Sequence, residues 1–585
     1  MKLVPYPQEA VRRYRDAGLW GTTTIATEFY RIARAHPQRE AVVATDGRIT
    51  FAELDRRTDV LAAGLSDLGL EPGDPVLFQV TNRLETVVAW YGVLKAGLVP
   101  VATLAAHRGH EIGEISRRVG AVAHLVEAGL RFDLVGFAEE QRRDHPTLRH
   151  VLVVGGDPRG ESLAALGRAT DPADARALVE RIQADIHPDA VAVYQLSGGT
   201  TGVPKVIPRL HAEYWYNAVE LARSNGWTPE SRVAHLIPII HNAGIVGAVH
   251  GPHSVGACLV LGTADLDESL PLMAREAATH VLLGHAHYRA VAHADFDAAT
   301  KAIARVVLSG AKVPPALFEA LEVRGLWTGQ QFGMGEGLFL TTRPGAPRAA
   351  RLTTVGTPLS AHDEVRILVP GSETDVADGE TGELCARGPY TLRGYLDAPE
   401  HNAHAFTSDG FYRTGDLAAF VTIEGERYVA IEGRIKDLIN RGGEKINAEE
   451  VELLLLRHPS VRAAAVVPMP DPRLGERTCA YVVVDGAQLT LPEVREHFAA
   501  LEVAKFKWPE RLERLPELPR TPVGKTDKKR LAADIARKVG TAPVHAGDGA
   551  ATHAARSAAT PRAGGVSTKL STNVSATVPF LRPNE

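Results

Sequence analysis

The stretch Leu196-Ser197-Gly198-Gly199-Thr200-Thr201-Gly202-Val203-Pro204-Lys205 is dense in phosphate-binding chemistry. Its glycines let backbone N–H groups converge on an anion, its Ser and Thr hydroxyls add donors, and Lys205 adds a point charge. The apolar run Val191 to Leu196 before it reads as a buried strand ending in this loop. A Gly-rich surface turn is the plain alternative for such a stretch alone; the hydroxyls with the lysine weigh toward phosphate. The order differs from a P-loop, which needs Gly-Lys-Ser/Thr, because Lys205 stands between Pro204 and Val206.

Four further stretches carry chemistry. In Gln330-Gln331-Phe332-Gly333-Met334-Gly335-Glu336-Gly337, a carboxylate in a glycine-rich turn can hold Mg²⁺ beside a triphosphate, and bare backbone can approach a flat ring. In Tyr412-Arg413-Thr414-Gly415-Asp416-Leu417, read as a turn, the aspartate can accept both hydroxyls of a ribose. Gly433-Arg434-Ile435-Lys436-Asp437, followed by Asn440-Arg441-Gly442-Gly443-Glu444-Lys445, reads as a charged, glycine-bearing joint. Pro519-Arg520-Thr521-Pro522-Val523-Gly524-Lys525 puts a lysine after a Pro/Gly loop. Taken singly, these are commonplace: a loop, an exposed turn, a solvated linker, a surface lysine.

In this order and spacing, the five stretches resemble the motifs of the adenylate-forming superfamily, which contains acyl-CoA synthetases, peptide-synthetase adenylation domains, luciferases and aryl acid:AMP ligases. The resemblance covers about residues 10–540. It implies ATP and Mg²⁺ as cofactors, with ATP contacts from Ser197, Gly198, Gly199, Thr200, Thr201, Gly202, Lys205, Gly310, Ala311, Gln331, Phe332, Gly333, Met334, Asp416, Arg434 and Lys525. By the same resemblance Glu336 binds the metal, Asp416 the ribose, and Arg434 ribose or phosphate. Lys525, with Glu336 and Lys205, is catalytic; Lys436 is a hinge, and the Gly442-Gly443 loop serves a second, thioester-forming step. A hinge suits one cavity that must serve two unlike reactions.

The acid pocket is expected after Ala234, around His241 and Asn242, with Gly310 and Gly335. Amino-acid-activating relatives commonly place an aspartate where Asn242 stands. A neutral amide cannot balance a buried ammonium group but can hydrogen-bond an ortho hydroxyl or amine, which disfavours a free α-amino acid. The His-Asn pair, the segment Ile207 to Tyr214 and the lead-in around Tyr14 to Trp20 resemble the aryl acid:AMP ligases of siderophore assembly. Those enzymes activate 2,3-dihydroxybenzoate or salicylate and load it on an aryl carrier protein. The chain departs from them at Ala243-Gly244-Ile245-Val246-Gly247, where an aromatic and a serine-rich loop are expected, and at His285-Ala286-His287, where apolar or proline-rich sequence is expected. An aminobenzoate therefore stays open. His250, His253, His285 and His287 lack the accompanying Cys or carboxylate spacing of a zinc site and read as core or pocket histidines.

The elements that must hold these residues alternate between strand and helix: Val76 to Val80, Glu85 to Lys95, Val99 to Ala102, His150 to Val154, Val191 to Leu196, Ala257 to Leu261, His280 to Leu283 and Ile303 to Leu308. This pattern predicts an α/β core of helix-covered sheets to about residue 350. Short alternating runs with Gly/Asp turns from Thr357 to Ala430 predict a small β-barrel-like subdomain. Ala448 to Leu456 and Pro492 to Leu501 as helices, with Ala463 to Val467 and Ala480 to Val484 as strands, predict a small α+β C-terminal domain. The expected division is an N-terminal adenylation domain over 1–434, a mobile lid over 435–540, and a disordered Ala/Thr/Ser/Gly/Pro tail over 541–585.

With 585 residues, 45% hydrophobic and net charge −5, the chain can bury more than one core and has no bias toward nucleic acid or anionic membrane. Its three cysteines, Cys258, Cys385 and Cys479, are dispersed and read as buried thiols in a reducing cytoplasm. No signal peptide or membrane span is expected. The sequence thus points to an aryl acid:AMP ligase that passes its product to a phosphopantetheine thiol on a carrier protein. An aryl-CoA ligase is the nearest rival, and a non-catalytic nucleotide-binding protein the rival of another class.

Overall fold

Strands buried at every position, such as Pro75–Gln79 and Ala123–Glu127, belong in a sheet covered on both faces. The computed structural model describes residues 3–540 apart from 198–203, 311–312, 442–443, 487–488, 502, 504 and 522–524. The expected tail, 541–585, lies outside the described residues.

The strands form four sheets. A seven-stranded sheet runs, in spatial order, Glu161–Ser162, His150–Val154, Ala123–Glu127, Pro75–Gln79, Val99–Val101, Val191–Leu196 (β1) and Val206–Leu210 (β2). Only the last pair, β1 with β2, is antiparallel. The helix His211–Asn225 (α1) follows directly on β2.

A nine-stranded sheet places Arg232–His235 (β3), His280–Gly284 (β4), Arg305–Ser309 (β5) and Trp327–Gly333 (β6) side by side and parallel. Their carboxyl ends therefore open on one crevice, where ligands of open α/β sheets bind. Antiparallel strands finish both edges. One apolar cluster reaches across both large sheets, with Ala41 and Leu259 from one and Val76, Phe78 and Val193 from the other. The expected α/β core is thus two mixed sheets with helices between and around them.

The β-rich region is a four-stranded antiparallel sheet that ends on Tyr412–Ile423 (β7) and Glu426–Arg434 (β8). A Gly356–Val429 bridge joins it to the nine-stranded sheet. One expectation is corrected here: Tyr412 to Leu417 lies within β7, not on a turn. Arg413 pairs with Cys385 and Leu417 with Glu383, so three residues of β7 oppose Leu384 alone. Turn-like Thr-Gly-Asp is absorbed as a bulge at Gly415, whose φ is +71°.

After β8 come a 3₁₀ turn, Ile435–Asp437, and a five-stranded sheet packed by the helices Ala448–Leu456 (α2), Leu491–Ala500 and Lys528–Lys538. The Asn447 side chain caps α2, accepting from Glu449 N at 3.0 Å, and donates to the Glu432 carbonyl, tying the C-terminal unit to β8. All three cysteines are buried. Among the described residues, no helix is long and apolar enough to cross a membrane.

Candidate active site

The base of the first loop is closed by a pair of hydrogen bonds. Ser197 N donates to Lys205 O at 2.9 Å, and Lys205 N donates to Ser197 Oγ at 3.0 Å. The strands β1 and β2 deliver these two residues because they pair antiparallel, Leu196 opposite Val206. Gly198, Gly199, Thr200, Thr201 and Gly202 lie outside the described residues, as do Ala311, Gly442 and Gly443. Lys205 Nζ stands 5.2 Å from the ring centroid of Tyr395.

Glu336 sits in the turn after β6 and is 8% exposed. Tyr395 Oη donates to Glu336 Oε1 at 2.7 Å and lies 2.8 Å from Tyr412 Oη. Burial, then the Glu336 charge, push the Tyr395 phenol far above its usual pKa, so it stays protonated as a donor. Gln331, Phe332 and Gly333 belong to β6 itself; Met334, Gly335 and Glu336 lie in the turn, closed by Gly337 N donating to Met334 O at 3.1 Å. Gly310, with φ +95°, ends β5 beside them.

Four residues further along β7, the bulge turns Asp416 inward, and Arg434 Nε meets Asp416 Oδ1 at 2.8 Å. The two strands set this up, since Asp416 and Arg434 are register partners. Burial raises the Asp416 pKa, and Arg434 works against it. Lys436 follows in the 3₁₀ turn, its pKa lowered by burial and then by Arg434.

Lys525 arrives from the C-terminal unit. Burial lowers its ammonium pKa, Arg434 lowers it further, and Asp416 acts in the opposite sense. His241 is held neutral near pKa about 4 by burial and then by Lys525. Both residues are open to water over much of their surface yet surrounded by protein, so they line a cleft and do not stand on the outside.

Asn242 is buried, and its amide is oriented at both ends: Tyr214 Oη donates to Oδ1 at 2.9 Å, and Nδ2 donates to Met334 O at 3.2 Å. Gln195 Nε2 in turn donates to Tyr214 Oη at 3.0 Å. A relay thus runs from β1 through α1 and Asn242 to the turn that carries Glu336.

A second buried network holds that turn from below. Arg209, on β2, forms a two-pronged ion pair with Glu213 at 2.9 and 2.8 Å and donates to Gly335 O at 3.1 Å. An unpaired charge here is costly, so the partners hold one another in place.

Sequence reading missed Tyr395, Tyr214 and the Arg209–Glu213 pair. The pair had a visible signal, opposite charges at i,i+4. Tyr395 had none, being a single tyrosine in a loop. His250 and His253 lie in the core, where Trp90 Nε1 donates to His250 Nε2 at 3.1 Å and Tyr91 Oη lies 2.9 Å from His253 Nδ1.

The groups present fit a magnesium nucleotide. Among the described residues, no three His, Cys, Asp or Glu side chains gather to hold a metal. A single carboxylate oriented by a phenol suits a hard cation that brings most of its ligands as phosphate and water, as Mg²⁺ does. The Asp416 carboxylate, beside Arg434, could accept both hydroxyls of a ribose.

A family model described as AMP-binding enzyme matches residues 29–396, and one described as AMP-binding enzyme C-terminal domain matches 450–525. The chain is 41% identical, over 91% of its length and 97% of the relative's, to a Streptomyces protein named salicylyl-CoA synthase / salicylate adenylyltransferase. It is 37% identical, over 92% and 95%, to the salicyl-AMP ligase / salicyl-S-ArCP synthetase of Mycobacterium tuberculosis. The apo structure of MbtA from Mycobacterium smegmatis superposes with a TM-score of 0.68 at 38% identity, over 91% of this chain and 98% of that one.

Proposed function

The chain belongs to the AMP-binding enzyme family, an ATP-dependent adenylate-forming ligase in mixed α/β architecture, and from that premise we propose a two-step aryl acid:thiol ligase acting on a substituted benzoate. In the first step an oxygen of the aryl carboxylate attacks the α-phosphorus of ATP. The new O–P bond gives aryl-AMP, the α–β bridging bond breaks, and pyrophosphate leaves with the electron pair. In the second step a phosphopantetheine thiol attacks the acyl carbon. The C–S bond forms, AMP departs with its oxygen, and the thiol proton passes to solvent.

Lys525 orients the attacking carboxylate and offsets charge on the transferring phosphoryl group. Asp416 and Arg434 hold the ribose, and the Ser197–Lys205 loop, Lys205 included, holds the outer phosphates. Glu336 is the residue that would hold Mg²⁺, which when bound supplies positive charge to the phosphate oxygens. His241 and Asn242 wall the acid, and Lys436 is the pivot about which the C-terminal unit would turn for the second step. The observation that carries this reading is the Asp416–Arg434 ion pair at 2.8 Å, with Lys525 close enough for its charge to act on His241 and to feel those of Arg434 and Asp416.

Salicylate-type relatives and the neutral Asn242 amide both support an ortho-substituted benzoate. The salicyl-S-ArCP synthetase supports a carrier-protein acceptor. The relative named for CoA supports coenzyme A as a second reading, decided by offering both thiols to the preformed aryl-AMP.

Acid-dependent ATP–pyrophosphate exchange tests the first step. Ortho-hydroxy or ortho-amino benzoates should support it, and Lys525→Ala should slow it by about 10²–10³. Exchange with only aliphatic or α-amino acids, or normal exchange by the variant, overturns the proposal.

A further inference from the structure

His235 closes β3, and its register partners across the sheet are Leu282 on β4 and, beyond it, Val307 on β5. With a side-chain period of two along strands, Gln331 on β6 shares that face. Leu221 of α1 and Gly247, in the π-helical turn Ile245–His250, cover it. These six residues line a cavity of about 30 Å³ under the sheet, which begins at Gln331, next to the turn that carries Met334 and Gly335.

The cavity has room because of Gly247. Gly247 has no side chain, and a Cβ there would meet only Leu221, at 3.4 Å.

His235 is 2% exposed, and its Nε2 has no hydrogen-bond partner. The neutral ring carries one N–H, and with that proton on Nδ1, toward the Ile237 backbone, Nε2 is left as an acceptor. His287, also buried and with Nδ1 unpartnered, is a charge neighbour of His235. The two other unpartnered atoms on this cavity, Trp227 Nε1 and Arg305 Nε, are donors, and Arg305 stands where its strand begins. Of these unpartnered buried atoms, His235 Nε2 is the one that can receive a donor.

We propose that this cavity is the inner end of the acid pocket and that His235 selects an aryl acid bearing a hydrogen-bond donor, hydroxyl or amino, remote from its carboxylate. The proposal rests on the aryl acid reading above. The carboxylate lies out in the cleft with Lys525, beyond the strand ends. His235 stands level with Gly329, two residues or about 6–7 Å below Gln331, so the group it meets is meta or para on the ring. An apolar substituent of the same size would fill the space and leave Nε2 unpaired, and a buried polar group left unpaired is how sites reject such isosteres. This accounts for the two departures from the aryl acid:AMP ligases noted in the sequence. Gly247 makes the space and His287 adds a second imidazole beside it.

The test uses benzoates sharing an ortho hydroxyl and differing at the meta or para position only in hydroxyl or amino against methyl or chloro. Equilibrium binding of each acid and acid-dependent pyrophosphate exchange are both read. The wild-type enzyme should favour the donor-bearing member of at least one pair by about tenfold or more. His235→Leu should reduce that ratio below about twofold, mainly by weakening binding of the preferred acid, whereas His235→Asn, which keeps an acceptor, should retain most of it. A wild-type enzyme indifferent to every pair overturns the proposal, and the cavity then holds water. So does a preference that survives in His235→Leu. Should His235→Leu not fold, the wild-type ratios and His235→Asn decide. If no benzoate supports exchange at all, the aryl acid reading fails and this proposal falls with it; if benzoates exchange without discrimination, this proposal alone fails.

Discussion

Tyr395 connects three residues that sequence motifs treat separately. Its hydroxyl reaches Glu336 and Tyr412, and its ring face lies under Lys205. A phenol that cannot ionise in this setting is a fixed donor, so the Glu336 carboxylate presents its remaining lone pairs in one direction. Tyr395→Phe keeps the ring and the packing but frees that carboxylate. Groups that orient a metal ligand typically contribute 10–100-fold in affinity or activity, so the variant should need about tenfold more Mg²⁺ for half-maximal pyrophosphate exchange. Equilibrium ATP binding separates this from general damage. The gain in affinity on adding Mg²⁺ should shrink, while binding without metal stays within about twofold. Unchanged Mg²⁺ dependence would show that Glu336 needs no such support. At this scale the motif residues were legible because glycine, hydroxyl and charge cluster locally in the chain. Tyr395 was not, because its meaning comes from Glu336, which stands 59 positions away.

The elements place the site through backbone contacts that leave no room for side chains. Gly337 closes the Glu336 turn with φ +126°, and a Cβ there would sit 1.9 Å from Tyr390 O. The same stretch receives Tyr390 and Gly335 carbonyls on Arg209, so turn and ion pair are built as one unit. Gly337→Ala must push the turn away from Tyr390. The expected result is a loss of at least about 2 kcal/mol in denaturant unfolding, from strain at a special φ plus overpacking, together with loss of exchange activity. Retention of both would mean that the turn moves freely. Strands and helices here were largely legible: His150–Val154, Val191–Leu196 and Ala448–Leu456 fall where apolar periodicity predicts them. The β7 bulge was not, because Arg-Thr-Gly-Asp has the composition of a turn and only its pairing with Glu383 and Cys385 makes it strand. How sixteen strands sort into two large sheets was likewise invisible, since pairings such as Val42 with Leu259 join residues far apart in the chain.

Six histidines spread over the described residues are neutral, buried polar groups. His124 is in the seven-stranded sheet, His235 in the nine-stranded sheet, and His211, His250, His253 and His287 are on the helices and turns that pack on the two. Burial pulls the first of these, with His211, His235 and His250, to a pKa of about 3, and His253 and His287 to about 4. An unfolded histidine titrates near 6.5. Above that pH neither state binds the proton and nothing is lost. As pH falls below it, the unfolded chain takes up protons that the folded chain refuses, so stability declines from about pH 6.5 down through the folded values. Each such group costs about 1.4 kcal/mol per pH unit well inside that window, while the buried carboxyls of Asp363 and Glu452, raised to about 7 by burial, bind protons in the folded state over the same range and offset part of that cost. With more histidines lowered than carboxyls raised, the fold should lose stability on acidification from about pH 6 to 5. Denaturant midpoints measured from pH 7.5 to 5 check this. His211→Asn keeps an acceptor for the Ile25 N–H, which donates to His211 Nδ1 at 3.3 Å, but removes one titrating group. It should flatten the acid limb by about one proton, or ~1.4 kcal/mol per pH unit. A midpoint constant down to pH 5 would mean that these imidazoles gain protons without opening the core, and the account of burial given for them would be wrong.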